Sequence, residues 1–189
     1  MNQSASAIIQ TYTGKMIDLF AMRPEHIDID DIAAGLRILR FNGQSRFPYS
    51  VAQHSVLVSE TCNPEDALWG LLHDASEAYL GDIIGPLKVT PLMTGYRELE
   101  RNVMAAICEA YDLPLVQPAS VTNADMVLLA TEKRDVLCHP DLIWSLKLPE
   151  PLPPDPEEYS DADRPVSIVP LSSTVAMHLF LHRFEMLTR

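Results

Sequence analysis

The sequence predicts an all-α fold, a helical bundle of six to seven helices that forms a single domain over residues 1–189. Apolar residues recur at spacings of three and four along most of the chain after a short irregular start, which is the period of helices with one buried face. Helix-start signals precede several of these segments. A chain of 189 residues with 47% apolar residues can bury one sizeable core, and a second domain is not expected.

The first two predicted helices lie on either side of a loop. The first begins near Asp28, whose side chain can cap the free N–H groups of a helix start. Its apolar positions fall at helical spacing: Ile29, Ile32, Ala33, Leu36 and Leu39. Residues 42–48 are rich in turn-forming side chains and predict a loop. A second helix is expected to begin at Ser50 and to carry His54 on its apolar face.

The third predicted helix has the clearest start signal. Asn63 can cap it, Pro64 suits the first helical position, and acidic residues follow in the first turn. We expect this helix to continue to about Tyr79 and to hold the adjacent pair His73 and Asp74 in an apolar stretch. Residues 81–86 then break the helical pattern.

Three further helices complete the predicted bundle. Periodicity predicts a long amphipathic helix over 94–111, another over 119–137, and a last one over 172–187. An acidic, proline-rich loop over 148–170 precedes the last helix. The roughly twenty residues after that loop cannot fold alone, so the last helix is expected to pack back on the bundle. The residues expected to make that contact are Val175, Leu179, Phe180 and Phe184.

Charge and composition exclude several classes of function. A formal net charge of −12 argues against nonspecific binding of nucleic acid or of anionic membranes, both of which need a basic surface. The chain has no run of about twenty apolar residues, and its first ten residues lack the pattern of a signal peptide. Its 3 cysteines are odd in number and far apart, which indicates reduced thiols. We therefore expect a cytoplasmic protein that acts on neither membranes nor nucleic acid.

The His73 and Asp74 pair points to a metal site. Burying a charged side chain is costly unless it is paired or bound to a metal. His54 on the preceding helix and Asp125 on a later one are also polar residues in apolar surroundings. Three helices thus offer two imidazoles and two carboxylates. Such a set suits one divalent ion, Mn, Co, Ni, Fe, Zn or Mg, better than it suits Ca.

The spacing of these residues, His…His-Asp…Asp across helices, resembles that of the HD-domain metal-dependent phosphohydrolases. The stretch 73–88 looks like the bacterial 5′-deoxynucleotidase branch, in which the His-Asp pair is followed by Glu-Ala, then Asp-Ile, then a proline and a lysine. Residues 49–55 and 131–135 also resemble motifs of that branch, and some phage dATP triphosphohydrolases have a similar layout.

The resemblance implies a role for each matching residue. The metal would be held by His54, His73, Asp74 and Asp125. A metal-bound hydroxide would attack the phosphoryl group of a nucleotide, with Glu77 and Asp74 as catalytic residues. Glu77 would either orient that nucleophile or protonate the leaving oxygen. Lys88, with Arg40 or Arg46, would neutralise phosphate charge. Asp82 resembles a residue that contacts either the sugar or a partner of the metal ligands, and both roles stay open.

Three readings of function follow. The leading one is a 5′-deoxynucleotidase, and the alternative within the family is a deoxynucleoside triphosphate triphosphohydrolase. A non-catalytic binding or regulatory protein on the same scaffold is the alternative of another class. Members of the superfamily that bind two metal ions have further histidines between the His-Asp pair and the last aspartate. This chain has none between Asp74 and Asp125, so the resemblance implies a single metal ion and disfavours a cyclic-nucleotide phosphodiesterase. Gln53 stands where relatives often carry an acid.

The expected partners are small. A nucleotide is the predicted substrate, and a homo-oligomer, a dimer or higher, is expected because the long helix near 94–111 and the apolar last helix offer interface area.

Overall fold

A computed structural model describes residues 6–159 and 165–189, and these residues are mostly helical. The α-helices are α1 (Ile29–Gly35), α2 (Val51–Thr61), α3 (Ala67–Leu72), α4 (Glu77–Leu80), α5 (Gly85–Lys88), α6 (Thr94–Ala110), α7 (Ala119–Asp135) and α8 (Ser173–Leu187). Short 3₁₀ turns cover Leu19–Ala21, Pro24–His26, Arg40–Gly43, Pro64–Asp66 and Pro91–Met93. The strands are β1 (Ile8–Gln10), β2 (Met16–Asp18), β3 (Asp155–Tyr159) and β4 (Pro165–Val166).

Helix α2 lies at the centre of the bundle, in contact with α3, α7 and α8. Eight of its eleven residues are buried, and several of these are polar, including Gln53 and His54. The Ser50 hydroxyl accepts a hydrogen bond from the backbone N–H of Gln53, which caps the helix where the sequence predicted its start. The main core is formed by apolar side chains from most of the helices, among them Ile32, Leu36, Val51, Leu71, Leu72, Ile107 and Phe180.

The third predicted helix is interrupted at the His-Asp pair, which corrects the expectation of one continuous helix to Tyr79. Helix α3 ends at Leu72, and α4 begins at Glu77. The backbone N–H groups of Ala75 and Glu77 donate to carbonyls three residues earlier, each at 2.9 Å. A 3₁₀ turn has three residues per turn, so side chains three apart lie above one another. Glu77 therefore shares a side of the chain with Asp74, and not with His73 as an α-helix would place it.

Two small antiparallel sheets qualify the all-α prediction. β1 pairs with β2 in the segment expected to be irregular, with Ile9 opposite Ile17. β3 pairs with β4 within the predicted proline-rich loop, whose residues 160–164 lie outside the described part of the chain. The fold remains one compact, mainly helical domain. None of the helices among the described residues combines the length and the apolar character that a membrane span requires.

Helix α8 packs on the bundle as expected, and two of the four predicted contact residues are confirmed, since Phe180 is buried in the main core and Phe184 packs against it. Ala176 and Phe180 are buried, whereas Val175 and Leu179 are 46% and 41% exposed. The helix contacts α1, α2 and α3. The predicted contact residues Val175 and Leu179 were thus wrong, because a helix with apolar residues on several sides does not reveal its buried face.

Candidate metal centre

Three side chains meet at the interruption between α3 and α4. His54 Nε2 from α2 lies 3.2 Å from His73 Nε2. Asp74 Oδ2 lies 3.2 Å from His73 Nε2 and 3.7 Å from His54 Nε2. One ligand atom from each of the three residues falls within 4.8 Å of the others, so this group can hold a metal ion.

Asp125 joins this group from α7. Its Oδ1 lies 3.2 Å from His54 Nε2, and its side chain is 38% exposed, whereas the His54 side chain is fully buried. The structure thus brings together all four residues predicted as ligands. Asp125 is the most exposed of the four and lies nearest to solvent.

The two imidazoles are oriented by bonds on their other nitrogens. His54 Nδ1 lies 2.6 Å from Glu132 Oε1, and an ionised carboxylate can only accept, so the nitrogen donates. His73 Nδ1 likewise donates to the carbonyl oxygen of Gly70 at 2.8 Å. The Nε2 atoms of the two imidazoles therefore face each other. Their lone pairs would repel unless a proton or a metal cation lay between them. The donor set therefore fits a divalent ion of the kind that imidazole and carboxylate bind.

The charges at the centre are strongly coupled. Burial opposes the charge of Asp74, but His73, His54 and Arg40 outweigh it and hold the pKa of Asp74 well below its usual range. Burial also opposes a charged His73, yet Asp74 raises the pKa of His73 to about 9. The carboxylate is ready to bind a cation, whereas the imidazole must release a proton to do so.

Glu77 has a different environment from Asp74. Its Oε1 lies 3.2 Å from Lys88 Nζ, and its side chain is 5% exposed. Its Oε2 is buried and has no hydrogen-bond partner among the described residues. Burial, with the carboxylates of Asp74 and Asp82, raises the pKa of Glu77 to about 9 against the opposing charge of Lys88. A carboxyl group that keeps its proton at neutral pH is suited to general-acid chemistry.

Two of the predicted phosphate-binding cations lie beside the centre. Arg40 Nη1 is 3.4 Å from Asp74 Oδ2, and the guanidinium is only 12% exposed. Lys88 Nζ binds Glu100 Oε1 at 2.8 Å as well as Glu77. Because Arg40 Nη2 also lies 3.1 Å from Glu132 Oε2, each cation is held by two acidic side chains.

The other two predicted substrate residues are less closely tied to the centre. Burial and the carboxylate of Asp74 raise the pKa of Asp82 while Arg40 and Lys88 oppose the shift, which places Asp82 within electrostatic reach of the metal group. The backbone N–H of Arg46 donates to the carbonyl oxygen of Val136 at 3.0 Å, just past the end of α7. Their contacts with substrate stay predictions.

Sequence reasoning did not assign a role to Glu132 or Gln53. Glu132 is fully buried and binds both His54 and Arg40. The available signal was its position seven residues after Asp125, two helical turns along the same face. Gln53 donates to the carbonyl of Val169 and accepts from the N–H of Leu171, both at 2.9 Å. The side-chain amide of Gln53 thus connects α2 to the segment that precedes α8.

Comparison with known proteins places the chain in a family. No family model matches it. It is 37% identical over 180 residues to the protein YfdR of Escherichia coli strain K12, covering 95% of this chain and 94% of that one. The chain belongs to the YfdR family. A protein of Rhodobacter capsulatus is similar to this YfdR-family chain, with 42% identity over 122 residues, which cover 59% of the chain and 62% of the relative. Both relatives are described as uncharacterized proteins.

Proposed function

We propose that this YfdR-family protein is a metal-dependent phosphohydrolase that removes the 5′-phosphate from deoxynucleoside monophosphates. The observation that carries the proposal is the group formed by His54, His73 and Asp74, with ligand atoms within 4.8 Å of one another. Asp125 completes the set, because it contacts His54 Nε2 at 3.2 Å.

The chemistry depends on a bound ion. When bound, a divalent ion polarises a phosphoryl oxygen and lowers the pKa of water towards neutrality, so that hydroxide is available at about pH 7. His54, His73, Asp74 and Asp125 would hold one ion. The two imidazoles are oriented through Glu132 and the carbonyl oxygen of Gly70, and their Nε2 atoms lie 3.2 Å apart.

Glu77 is the proton donor in this proposal. Hydrolysis breaks the bond between phosphorus and the 5′-oxygen, adds the hydroxyl group of water to phosphorus, and leaves the 5′-oxygen in need of a proton. Glu77 carries that proton at neutral pH, since burial and neighbouring carboxylates raise its pKa to about 9. Lys88 donates to Oε1, and Oε2 has no partner among the described residues, so in this proposal Oε2 carries the proton for the leaving group.

The cations that contact the centre favour a monophosphate over a triphosphate. Arg40 and Lys88, two of the predicted phosphate-binding residues, both contact groups of the centre. Arg37 donates instead to the carbonyl oxygen of Ala34 and lies over the ring of Tyr12. Two cations suit one phosphate dianion, whereas a triphosphate carries about twice that charge and needs further cations.

Product analysis tests the proposal. The protein is stripped with EDTA, given back Mn, Co or Mg, and offered deoxynucleoside mono-, di- and triphosphates, with ribonucleotides as controls. Release of phosphate from deoxynucleoside monophosphates, absent without metal, is the expected result. Release of intact triphosphate would favour the triphosphohydrolase alternative. No hydrolysis with any metal would overturn an enzymatic role and favour the non-catalytic binding protein.

A further inference from the structure

Glu132 uses each of its two carboxylate oxygens for a different partner. Oε1 accepts from His54 Nδ1 at 2.6 Å, and Oε2 accepts from Arg40 Nη2 at 3.1 Å. The side chain is 0% exposed. A carboxylate buried to this degree is stable only if both oxygens are satisfied by charged or strongly polar donors.

These contacts close a ring of four side chains around the metal centre. The second nitrogen of Arg40, Nη1, lies 3.4 Å from Asp74 Oδ2. The same Asp74 oxygen lies 3.7 Å from His54 Nε2. Glu132 therefore touches a metal ligand with one oxygen and, with the other, the cation proposed to bind phosphate.

We propose that Glu132 is a positioning residue that couples metal binding at His54 to phosphate binding at Arg40. The inference rests on the proposed metal centre and deepens it. One carboxylate fixes the donor orientation of the imidazole and the direction of the guanidinium. A displacement of either partner therefore moves the acceptor on which the other depends. Replacing a residue that is hydrogen-bonded to the second nitrogen of a metal-ligating histidine typically lowers metal affinity.

The same helix provides a matched control. Asp135, one turn further along α7, is also a buried carboxylate. It pairs with Arg134 at 2.6 Å and accepts from the N–H groups of Ser167 and Ile168 at 2.8 and 3.2 Å. Apart from its neighbour Arg134, its partners lie in the segment that follows β4, and they include none of the predicted metal ligands.

The experiment compares Glu132→Gln with Asp135→Asn. A carboxylate has two acceptor oxygens, whereas an amide has one. The side chain in Glu132→Gln therefore cannot accept hydrogen bonds from both His54 and Arg40 in the present geometry. The metal-stripped proteins are titrated with Mn²⁺, and the metal-saturated proteins with inorganic phosphate. We expect Glu132→Gln to lose about 10- to 100-fold in Mn²⁺ affinity and about tenfold in phosphate affinity. Asp135→Asn should keep both affinities within about twofold, as an independent site does.

The possible outcomes separate coupling from a structural role. Unchanged affinities in Glu132→Gln, equal losses in both variants, or the loss of one affinity alone would each overturn the coupling. Should circular dichroism show that Glu132→Gln does not fold, Glu132→Asp replaces it. That variant keeps the charge but is one methylene shorter, so both affinities should again fall, and unchanged affinities would refute the proposal.

Neither titration requires turnover. The result therefore stands even if the protein hydrolyses no nucleotide, so the coupling and the proposed reaction fail separately. A native protein that binds no divalent ion would overturn the metal centre itself, and the coupling with it.

Discussion

The carboxyl group of Glu77 and the ammonium group of Lys88 lie 3.2 Å apart, with 5% and 24% of their side chains exposed. Lys88 occupies one oxygen of Glu77 and is itself held by Glu100 at 2.8 Å. The other oxygen of Glu77 is buried without a hydrogen-bond partner among the described residues. A native structure keeps such a costly group chiefly where it serves a function.

Replacing Glu77 should separate catalysis from metal binding. Glu77→Gln is expected to lower kcat by about 10²- to 10⁴-fold, the usual contribution of a general acid, while Mn²⁺ affinity stays within about threefold. Steady-state kinetics and a metal titration measure the two effects. Glu100→Gln, which removes the other partner of Lys88, serves as the control and should cost much less. Normal turnover in Glu77→Gln would sink the assigned role.

The raised pKa of Glu77 also predicts how stability depends on pH. The folded protein binds the Glu77 proton up to about pH 9, whereas the unfolded chain releases it near the ordinary value of 4.5. Between these values the folded state holds more protons, so the free energy of unfolding falls as pH rises. Glu77→Gln removes this fall. The metal-stripped variant should therefore melt higher than the native protein at pH 8, by about 3 °C or more.

The difference between the two proteins should shrink towards pH 5, where both side chains are neutral. Comparing the variant with the native protein cancels the parallel contribution of His73, whose pKa is also raised, to about 9. Equal melting temperatures at pH 8 would show that Glu77 is ionised in the folded protein and not the proton donor proposed here.

Removing either half of the His-Asp pair should abolish metal retention. His73→Ala and Asp74→Ala each delete a donor atom from the group whose ligand atoms lie within 4.8 Å of one another. Metal content after dialysis, measured by elemental analysis, should fall to background, and activity should be lost with it. His178→Ala, on the exposed part of α8, is the control and should retain both. A His73→Ala protein that kept its metal would refute the assigned ligand set.

Gly35 should be intolerant of a side chain. A Cβ at this position would lie 2.5 Å from the carbonyl oxygen of Ala78, in the helix that begins at Glu77. Gly35→Ala must push α4 away from α1, and overpacking of this kind typically costs about 1–3 kcal/mol. Gly95→Ala on α6 is the matched control, since a Cβ there has nothing within 4 Å. Thermal unfolding should show a loss for Gly35→Ala and no loss for Gly95→Ala, and equal behaviour would contradict the close contact.

The metal group could be predicted from sequence because its residues are locally anomalous. His54, His73 and Asp125 each interrupt an apolar face, and the cost of burying them unpaired is visible without coordinates. The role of Glu132 could not be predicted, because its partners His54 and Arg40 lie in distant parts of the sequence. Only the folded structure shows that its side chain is fully buried.

The errors in the fold have similar causes. The stretch 72–76 contains neither glycine nor proline, so nothing local marks the end of α3, and tertiary packing overrides its helix propensity. The strands β1 and β2 have three residues each, too few for an alternating pattern to stand out.

The bonds from Gln53 to Val169 and Leu171 bear on when the centre can form. Helix α2, which carries His54, packs against α8. Gln53, the residue before His54, is hydrogen-bonded to the segment that precedes α8. A nascent chain that has not yet reached residue 169 lacks both restraints on α2. All four predicted ligands leave the ribosome before α8 does, so we expect the protein to acquire its metal only after α8 is synthesised.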